Sequence, residues 1–191
     1  MIIERVVGAA IADHLPALAA LRIAVFREWP YLYEGTLAYE QNYLATYAAS
    51  PDGLVVIARD GDDVVGASTA MPLAQHSDDV VPPLVAAGFA PERVCYFGES
   101  VLAPAYRGRG LGHAFFDERE DFARTRGFAV AAFCAVERPP ELRPADYRPL
   151  DKFWTHRGFV KRPDITTTFS WRDVGEERES AKPMVFWIKE L

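Results

Sequence analysis

The sequence predicts an α/β (α+β) domain built on a central β-sheet of about seven strands, and three observations support this class. The runs LVVIAR and VVGASTAM are joined by the turn Asp60–Asp63, which is typical of an antiparallel hairpin. Farther along, two apolar strands enclose an amphipathic helix, as in a parallel strand–helix–strand unit. Two more strand-like runs close the chain. Because half of the residues are hydrophobic, we expect one domain over residues 1–191.

The N-terminal half is predicted to contain a strand and two helices before the hairpin. Residues 2–7 form the strand, and Asp13 caps a first helix that ends before Pro30. Thr36 caps a second amphipathic helix, which stops at a Ser-Pro-Asp-Gly turn. Beyond the hairpin, residues 75–93 are acidic and contain prolines. We therefore expect a surface connection with one short helix there.

The C-terminal half is predicted to contain the parallel unit and the last two strands. Residues 93–103 form a largely buried strand, and residues 109–127 form the amphipathic helix that follows. A proline-rich loop and a short helix ending at Gly158 come later. The remaining strands are residues 128–136, 164–172 and 183–191.

Composition and charge limit the kinds of partner. A formal net charge of -6 argues against phosphate backbones and anionic lipid, so we expect no nucleic-acid and no membrane partner. The N-terminal residues lack the charged-then-apolar order of a signal peptide, and no uninterrupted apolar run approaches the roughly 18 to 20 residues of a membrane span. A cytoplasmic location follows. Cys95 and Cys134 lack metal or redox spacing, so we expect buried, reduced thiols and no metal.

The most informative segment is the glycine-rich turn Arg107–Gly112, which lies between a strand and a helix. Glycines let the backbone approach an anion closely, and the free N–H groups at a helix start favour a pyrophosphate. The segment lacks the Lys-Ser/Thr ending of a P-loop. It also follows an antiparallel hairpin, unlike a dinucleotide-binding fingerprint. An ordinary strand-to-helix connection is the alternative.

With its neighbouring residues, this segment resembles the GCN5-related N-acetyltransferase (GNAT) superfamily. The signature Arg/Gln-x-x-Gly-x-Gly/Ala is matched by Arg107, Gly110 and Gly112, and FWTHRGF is similar to a second motif near the C-terminus. The resemblance covers nearly the whole chain in element order. It implies a mostly antiparallel sheet that splays between the fourth and fifth strands. It also implies acetyl-coenzyme A (acetyl-CoA) as co-substrate, with no metal.

The resemblance also implies where the cofactor binds. Val101 and Leu102 would pair through their backbone with the pantetheine arm. The strands would part after Leu102 and around Cys134, leaving a slot for the thioester and the acceptor. The residues that would hold the pyrophosphate are Arg107, Gly108, Arg109, Gly110, Leu111 and Gly112.

Acid–base chemistry is needed because a neutral amine must attack and a thiolate must leave. Glu99 is the candidate base, since a carboxylate among apolar strand residues is costly without a purpose; the alternative is a structural ion pair with an Arg. Trp154 occupies the position at which many relatives have a Tyr that acts as the general acid. Tyr147, two turns earlier if the helix extends back, is the substitute, or else a surface residue. His156 and Cys134 are interpreted as surface and packing residues.

The acceptor would be bound by the first predicted helix and the loop after it, by the same resemblance. If the arginines there face the slot, one could clamp a carboxylate, which favours an acidic amine; the alternative is a solvated charged face with an aromatic lid. The residues concerned are Arg22, Arg27, Trp29, Tyr31 and Tyr33.

These residues predict transfer of an acetyl group from acetyl-CoA to the amine of a small molecule, directly within a ternary complex. We identify no pair of nucleophile and base that would indicate a covalent acyl-enzyme route. The alternatives are a non-catalytic acyl-CoA-binding or sensing domain and, less favoured, a nucleotide-binding switch. A homodimer is compatible with each of these functions.

Overall fold

A computed structural model describes residues 1–76 and 79–191, and these residues form a seven-stranded sheet flanked by helices. Residues 77 and 78, in the predicted surface connection, lie outside the described part. The strands are β1 Ile2–Val7, β2 Leu54–Asp60, β3 Asp63–Pro72, β4 Val94–Leu102, β5 Val130–Val136, β6 Val160–Trp171 and β7 Ser180–Glu190. The helices are α1 Leu15–Phe26, α2 Leu37–Ala49, α3 Val81–Ala86, α4 Leu111–Thr125 and α5 Asp151–His156.

The strand order is β1-β2-β3-β4-β5-β7-β6. Strands β4 and β5 run parallel, connected through α4, and the other neighbours are antiparallel. The predicted mixed, mostly antiparallel sheet is therefore confirmed, including the hairpin of β2 and β3. The last strand, β7, lies between β5 and β6, which the order of elements in the sequence did not indicate.

Side chains of alternate strand residues form a core on each face of the sheet. On one face, Val55 and Ile57 of β2 pack with Leu18 of α1 and Leu44 of α2, all at most 1% exposed. On the other face, the aromatic residues of α4 pack over β2, β4 and β5. Because successive side chains of a strand point to opposite faces, helices can pack on both faces of this one sheet.

The start of the first helix differs from the prediction. Gly8–His14 forms a 3₁₀-helix, and α1 begins only at Leu15 with Pro16 in its first turn, so Asp13 is not its cap. Proline is favoured there because the first helical N–H groups need no helical partner. The second predicted cap is confirmed: Thr36 accepts a hydrogen bond from the backbone N–H of Tyr39 at 3.3 Å.

The stretch Gly8–Phe26 reaches the length and composition of a membrane span, with a mean hydropathy of 1.5, although Asp13 and Arg22 lie within it. This stretch was not predicted from the sequence, because charged residues interrupt its apolar run. In the fold, Ile11 and Leu18 are at most 1% exposed against the sheet. Residues of this stretch therefore contribute to the core on that face.

Two C-terminal elements also differ from their predicted extents. Strand β6 begins at Val160, four residues before the predicted start, because Val160–Arg162 pairs with β7 ahead of an irregularity in register. Helix α5 begins at Asp151 and does not extend back to Tyr147. The helical spacing that was expected to bring Tyr147 onto the face of Trp154 is therefore wrong.

Candidate active site

The site begins where β4 and β5 separate. Backbone pairing between them covers only Val94–Tyr96 and Val130–Ala132, although both strands continue beyond that point. The predicted splay between the fourth and fifth strands is confirmed, but the strands part after Tyr96 rather than after Leu102. The second half of β4 therefore has no β-strand partner on the β5 side.

A β-bulge in β4 lies at this point of separation. Ser100 pairs with Ser68 and Phe97 pairs with Ala70, so β4 has one more residue than β3 between these pairs. The extra length bends the strand and re-aims its side chains. The backbone N–H of Glu99, within the bulge, donates to a threonine side chain of β3 at 3.2 Å.

Arg119 of α4 supports the bulge from beneath, and the sequence analysis missed it. Its guanidinium donates to the carbonyl oxygens of Glu99 (3.2 Å) and Thr69 (3.4 Å) and to the hydroxyl of Ser100 (2.8 Å). It is 1% exposed and has no ion-pair partner among the described residues. Burial lowers the pKa of Arg119 to about 9. An arginine four residues after Phe115 on an apolar helix face was the available signal.

Two cavities meet at the gap. The first, of about 480 Å³, lies among α1, α2, β4 and β6 and is called the acceptor cavity below, after the role expected from the sequence. The second, of about 450 Å³, lies between β4 and β5 and extends to α4 and α5; it is called the cofactor cavity after the slot expected between these strands, although residues 101–112 do not line it. Five residues line both cavities, namely Phe26, Tyr31, Gly98, Glu99 and Cys134.

Glu99 is held in a buried ion group with Arg22 and Glu40. The Arg22 guanidinium contacts both carboxylates, and the side chains of Glu40 and Glu99 are only 0% and 7% exposed. Burial opposes the charge of Arg22, but the two carboxylates raise its pKa above the ordinary value. Glu99 thus forms the ion pair that was its structural alternative, and it also lies where the cavities meet.

Two tyrosines of α2 extend the polar contacts of Glu99. The Tyr43 hydroxyl donates to the second Glu99 oxygen at 3.2 Å and lies 3.0 Å from the Tyr47 hydroxyl. Burial raises the pKa of both phenols, and the nearby Glu99 carboxylate raises them further. Both hydroxyls therefore remain protonated near neutral pH and act as donors.

The glycine-rich turn presents free backbone at the start of α4. Gly108 and Gly110 have φ of 75° and 84°, and an added Cβ at either would meet nothing within 4 Å. No side chain caps the first turn of α4. The N–H groups of Leu111 and Gly112 and the positive end of the helix dipole are thus available to an anion.

The two arginines of this turn differ in their partners. Arg107 pairs with Glu28 at 2.8 Å and donates to the carbonyl oxygen of Leu102. Arg109 packs over the Tyr106 ring, with 5.1 Å to its centroid, and has no ion-pair partner in the described part of the chain. Arg109 can therefore bind a phosphate without first giving up an ion-pair partner, whereas Arg107 would have to release Glu28.

The structure separates the predicted acceptor residues. Arg22, Tyr31 and Tyr33 line the acceptor cavity, whereas Trp29 lines the cofactor cavity. Arg27 lies outside both and pairs with Glu34 at 2.7 Å. Both arginines already pair with carboxylates, so a clamp on an acidic substrate would require them to exchange partners; the clamp stays a prediction.

The loop that carries these aromatic residues is held by its backbone. Arg138 donates to the carbonyl oxygens of Pro30 (2.8 Å) and Tyr31 (2.7 Å), and its guanidinium is fixed in turn by Asp173. The Trp171 indole also donates to the Tyr31 oxygen, at 3.0 Å. Arg138 and Trp171 therefore anchor the backbone of this loop from outside it.

The other acid and thiol candidates lie around the cofactor cavity. Tyr147, half-buried, lines that cavity, and burial raises its pKa. Trp154 also lines it and packs against Phe133, with ring centroids 5.0 Å apart. Cys134 is buried and reduced as expected; burial raises its pKa to about 12, so it is a thiol at neutral pH. His156 is exposed at the end of α5.

Comparison with protein-family models shows the family to which this chain belongs. A family model described as the acetyltransferase (GNAT) family matches residues 18–143, about two thirds of the chain. This chain belongs to the GNAT family. The match includes the ion group, the bulge and the glycine-rich turn. GNAT acetyltransferases use acetyl-CoA, whose pyrophosphate fits the uncapped amides of α4.

Solved structures share this GNAT fold at low sequence identity. The ribosomal-protein-alanine N-acetyltransferase of Brucella melitensis is 17% identical with a TM-score of 0.66, and each chain is covered completely. The yncA protein of Salmonella typhimurium, solved with its cofactor acetyl-CoA, is 14% identical with a TM-score of 0.64; 100% of this chain and 95% of that chain are covered. A search of curated proteins gave no match.

We predict that protonation of His76, which lines the acceptor cavity, destabilises the fold. Burial lowers its pKa from 6.5 to about 4, so between these values the unfolded chain binds more protons and stability falls as pH falls. From pH 7 to pH 5 this contribution is about 2 kcal/mol. Urea unfolding should show that wild type loses about that much more than His76→Gln. Equal losses would contradict the prediction.

Proposed function

We propose that this GNAT protein transfers the acetyl group of acetyl-CoA to the amine of a small molecule, directly within a ternary complex. One observation carries the proposal: a cavity beside the separated strand β4 meets a second cavity, with Glu99 on both. Two reactants that enter from opposite sides would then meet at one carboxylate. Such an arrangement favours transfer between two bound molecules.

The size of the acceptor cavity supports a small molecule. About 480 Å³ is within the usual range of roughly 300 to 1,000 Å³ for small-molecule pockets. The Brucella melitensis relative is named for a ribosomal-protein substrate. A peptide is therefore the acceptor against which the proposal must be tested.

Each region of the site has a role in this proposal. Acetyl-CoA supplies the thioester when it is bound. The amides of the glycine-rich turn and Arg109 hold its pyrophosphate, and the unpaired edge of β4 up to Leu102 orients the pantetheine arm. Glu99 accepts the proton that the attacking amine loses, directly or through one water. Tyr147 donates a proton to the departing sulfur.

Direct transfer is supported by the state of the thiols. Cys134 is the cysteine on the two cavities, and a pKa of about 12 leaves very little thiolate at neutral pH. Its nearest polar partner is the Tyr96 hydroxyl, 3.1 Å from the sulfur, rather than a base. A covalent acyl-cysteine therefore has no activated nucleophile among the residues of the gap.

The proposal is tested by thiol release from acetyl-CoA in the presence of a panel of primary amines and an alanine-terminated peptide. We expect release with at least one small amine at a kcat/KM above that of the peptide. Binding of acetyl-CoA without release for any acceptor would instead favour the acyl-CoA sensor. Preference for the peptide would assign a protein substrate.

The base is tested with Glu99→Gln, which keeps the shape of the side chain and removes its charge. We expect kcat to fall by about 10² to 10⁴-fold, the usual worth of a general base. Calorimetry should show that acetyl-CoA still binds, because Glu99 lies away from the pyrophosphate turn. The control is Glu4→Gln, which removes another Arg-paired carboxylate on β1. Equal losses in both variants would contradict the assignment.

The acid is tested by comparing Tyr147→Phe with Tyr31→Phe. If Tyr147 protonates the sulfur, its variant loses roughly 10²-fold in kcat and recovers with an acetyl thioester of a more acidic thiol, which leaves without a proton. Tyr31→Phe should show no such recovery. Recovery confined to Tyr31→Phe would move the role to Tyr31, which lines both cavities.

A further inference from the structure

The acceptor cavity has more negative than positive charge. Among the described residues, its charged side chains are Arg22, Glu40, Asp79 and Glu99. Arg22 compensates only one of the two carboxylates that it contacts. His76 adds no charge at neutral pH, since burial lowers its pKa to about 4. Three carboxylates and one guanidinium leave a formal charge of about -2 facing the substrate.

Asp79 is the carboxylate of this cavity with no ion-pair partner in the described part of the chain. It is exposed at the cavity, and Thr167 of β6 fixes its backbone by donating to the Asp79 carbonyl oxygen at 2.6 Å. Its charge contributes to raising the pKa of Cys134, after burial. The carboxylates of Asp79 and Glu99 therefore both line this cavity, but they lie on different walls of it.

The positive groups behind Trp171 are already compensated, and Arg119, which has no carboxylate partner among the described residues, lines the cofactor cavity rather than the acceptor cavity. Lys182 and Arg138, behind Trp171, both pair with Asp173, at 3.1 Å and 2.7 Å, and Lys182 also lies 3.6 Å from Glu176. These two cations and two carboxylates balance. They leave the negative charge of the acceptor cavity uncancelled.

Aromatic rings enclose much of the same space. Rings favour organic cations, because the face of each ring is electronegative, and the effect grows when water is excluded. Carboxylates combined with rings are complementary to ammonium groups and repel anions. The rings that line the acceptor cavity are Phe26, Tyr31, Tyr33, Tyr39, Tyr43, Tyr96, Phe169 and Trp171.

We propose that the acceptor is a dicationic amine, in which one ammonium is acetylated beside Glu99 while a second is held by Asp79 and the surrounding rings. This inference rests on the proposed function and specifies its substrate class. A single ammonium would leave one negative charge in the cavity, whereas two balance it. An amine that carries a carboxylate would face two uncompensated negative charges.

The reaction balances as follows. The ammonium near Glu99 loses a proton, its nitrogen forms a bond to the acetyl carbon and then loses a second proton, and the carbon–sulfur bond of the thioester breaks. The sulfur takes a proton and leaves as the free thiol of coenzyme A. One proton is released to solvent overall, and the second ammonium is unchanged.

The experiment compares 1,4-diaminobutane, 1-aminobutane and 4-aminobutanoate at saturating acetyl-CoA. These acceptors share a reacting amine and a four-carbon chain and differ in the charge of the far group. We expect kcat/KM to be at least 10-fold higher for the diamine than for 1-aminobutane, and lowest for the amino acid. Equal values, or preference for the amino acid, would overturn the inference while leaving the proposed function in place.

Asp79→Asn then tests the second binding group. It should lower kcat/KM for 1,4-diaminobutane by about 10-fold, mainly through KM, and leave 1-aminobutane within twofold; Asp79→Glu should restore the preference. Asp62→Asn, in the hairpin turn, is the charge-matched control. Equal losses for both amines would overturn the role of Asp79. Absence of thiol release with any amine would overturn the proposed function and this inference together.

Discussion

A strand that leaves its neighbour exposes backbone groups that need new partners, and this constraint shapes the centre of the molecule. Strand β4 leaves β5 after three paired residues and bulges against β3 at the same place. The guanidinium of Arg119 supplies donors to two carbonyl oxygens there, from the side of α4. A buried cation without a carboxylate is costly, so its several hydrogen bonds are what make it tolerable. The gap, and both cavities beside it, follow from this arrangement.

The ion group above the bulge ties three separate elements to that gap. Arg22 comes from α1, Glu40 from α2 and Glu99 from β4, and all three side chains are at most 10% exposed. Removing Arg22 from this group would leave two buried carboxylates without a cation, which is strongly destabilising. The group therefore couples the packing of the helical layer to the position of a carboxylate at the reacting centre.

Local patterns predicted much of the fold and the cofactor turn, but not the partners of the charged residues. The hairpin, the seven strands and the Arg107–Gly112 turn depend on residues close in sequence, and each was found. The compensation of Arg22 and Arg27 depends on side chains that only the fold brings near. The first helix was predicted from Asp13, whereas its proline-bearing start at Leu15 decided its geometry. Strand order was missed because β7 pairs with residues far away in the chain.

The aromatic loop before α2 is anchored partly through its carbonyl oxygens, which Arg138 and Trp171 contact. Any amino acid supplies the same carbonyl oxygen at position 31. Substitutions along the loop can therefore alter the shape and chemistry of the cavities while the main chain stays where it is. Main-chain anchoring of this kind gives mutation and selection a route to new acceptors that keeps these backbone contacts.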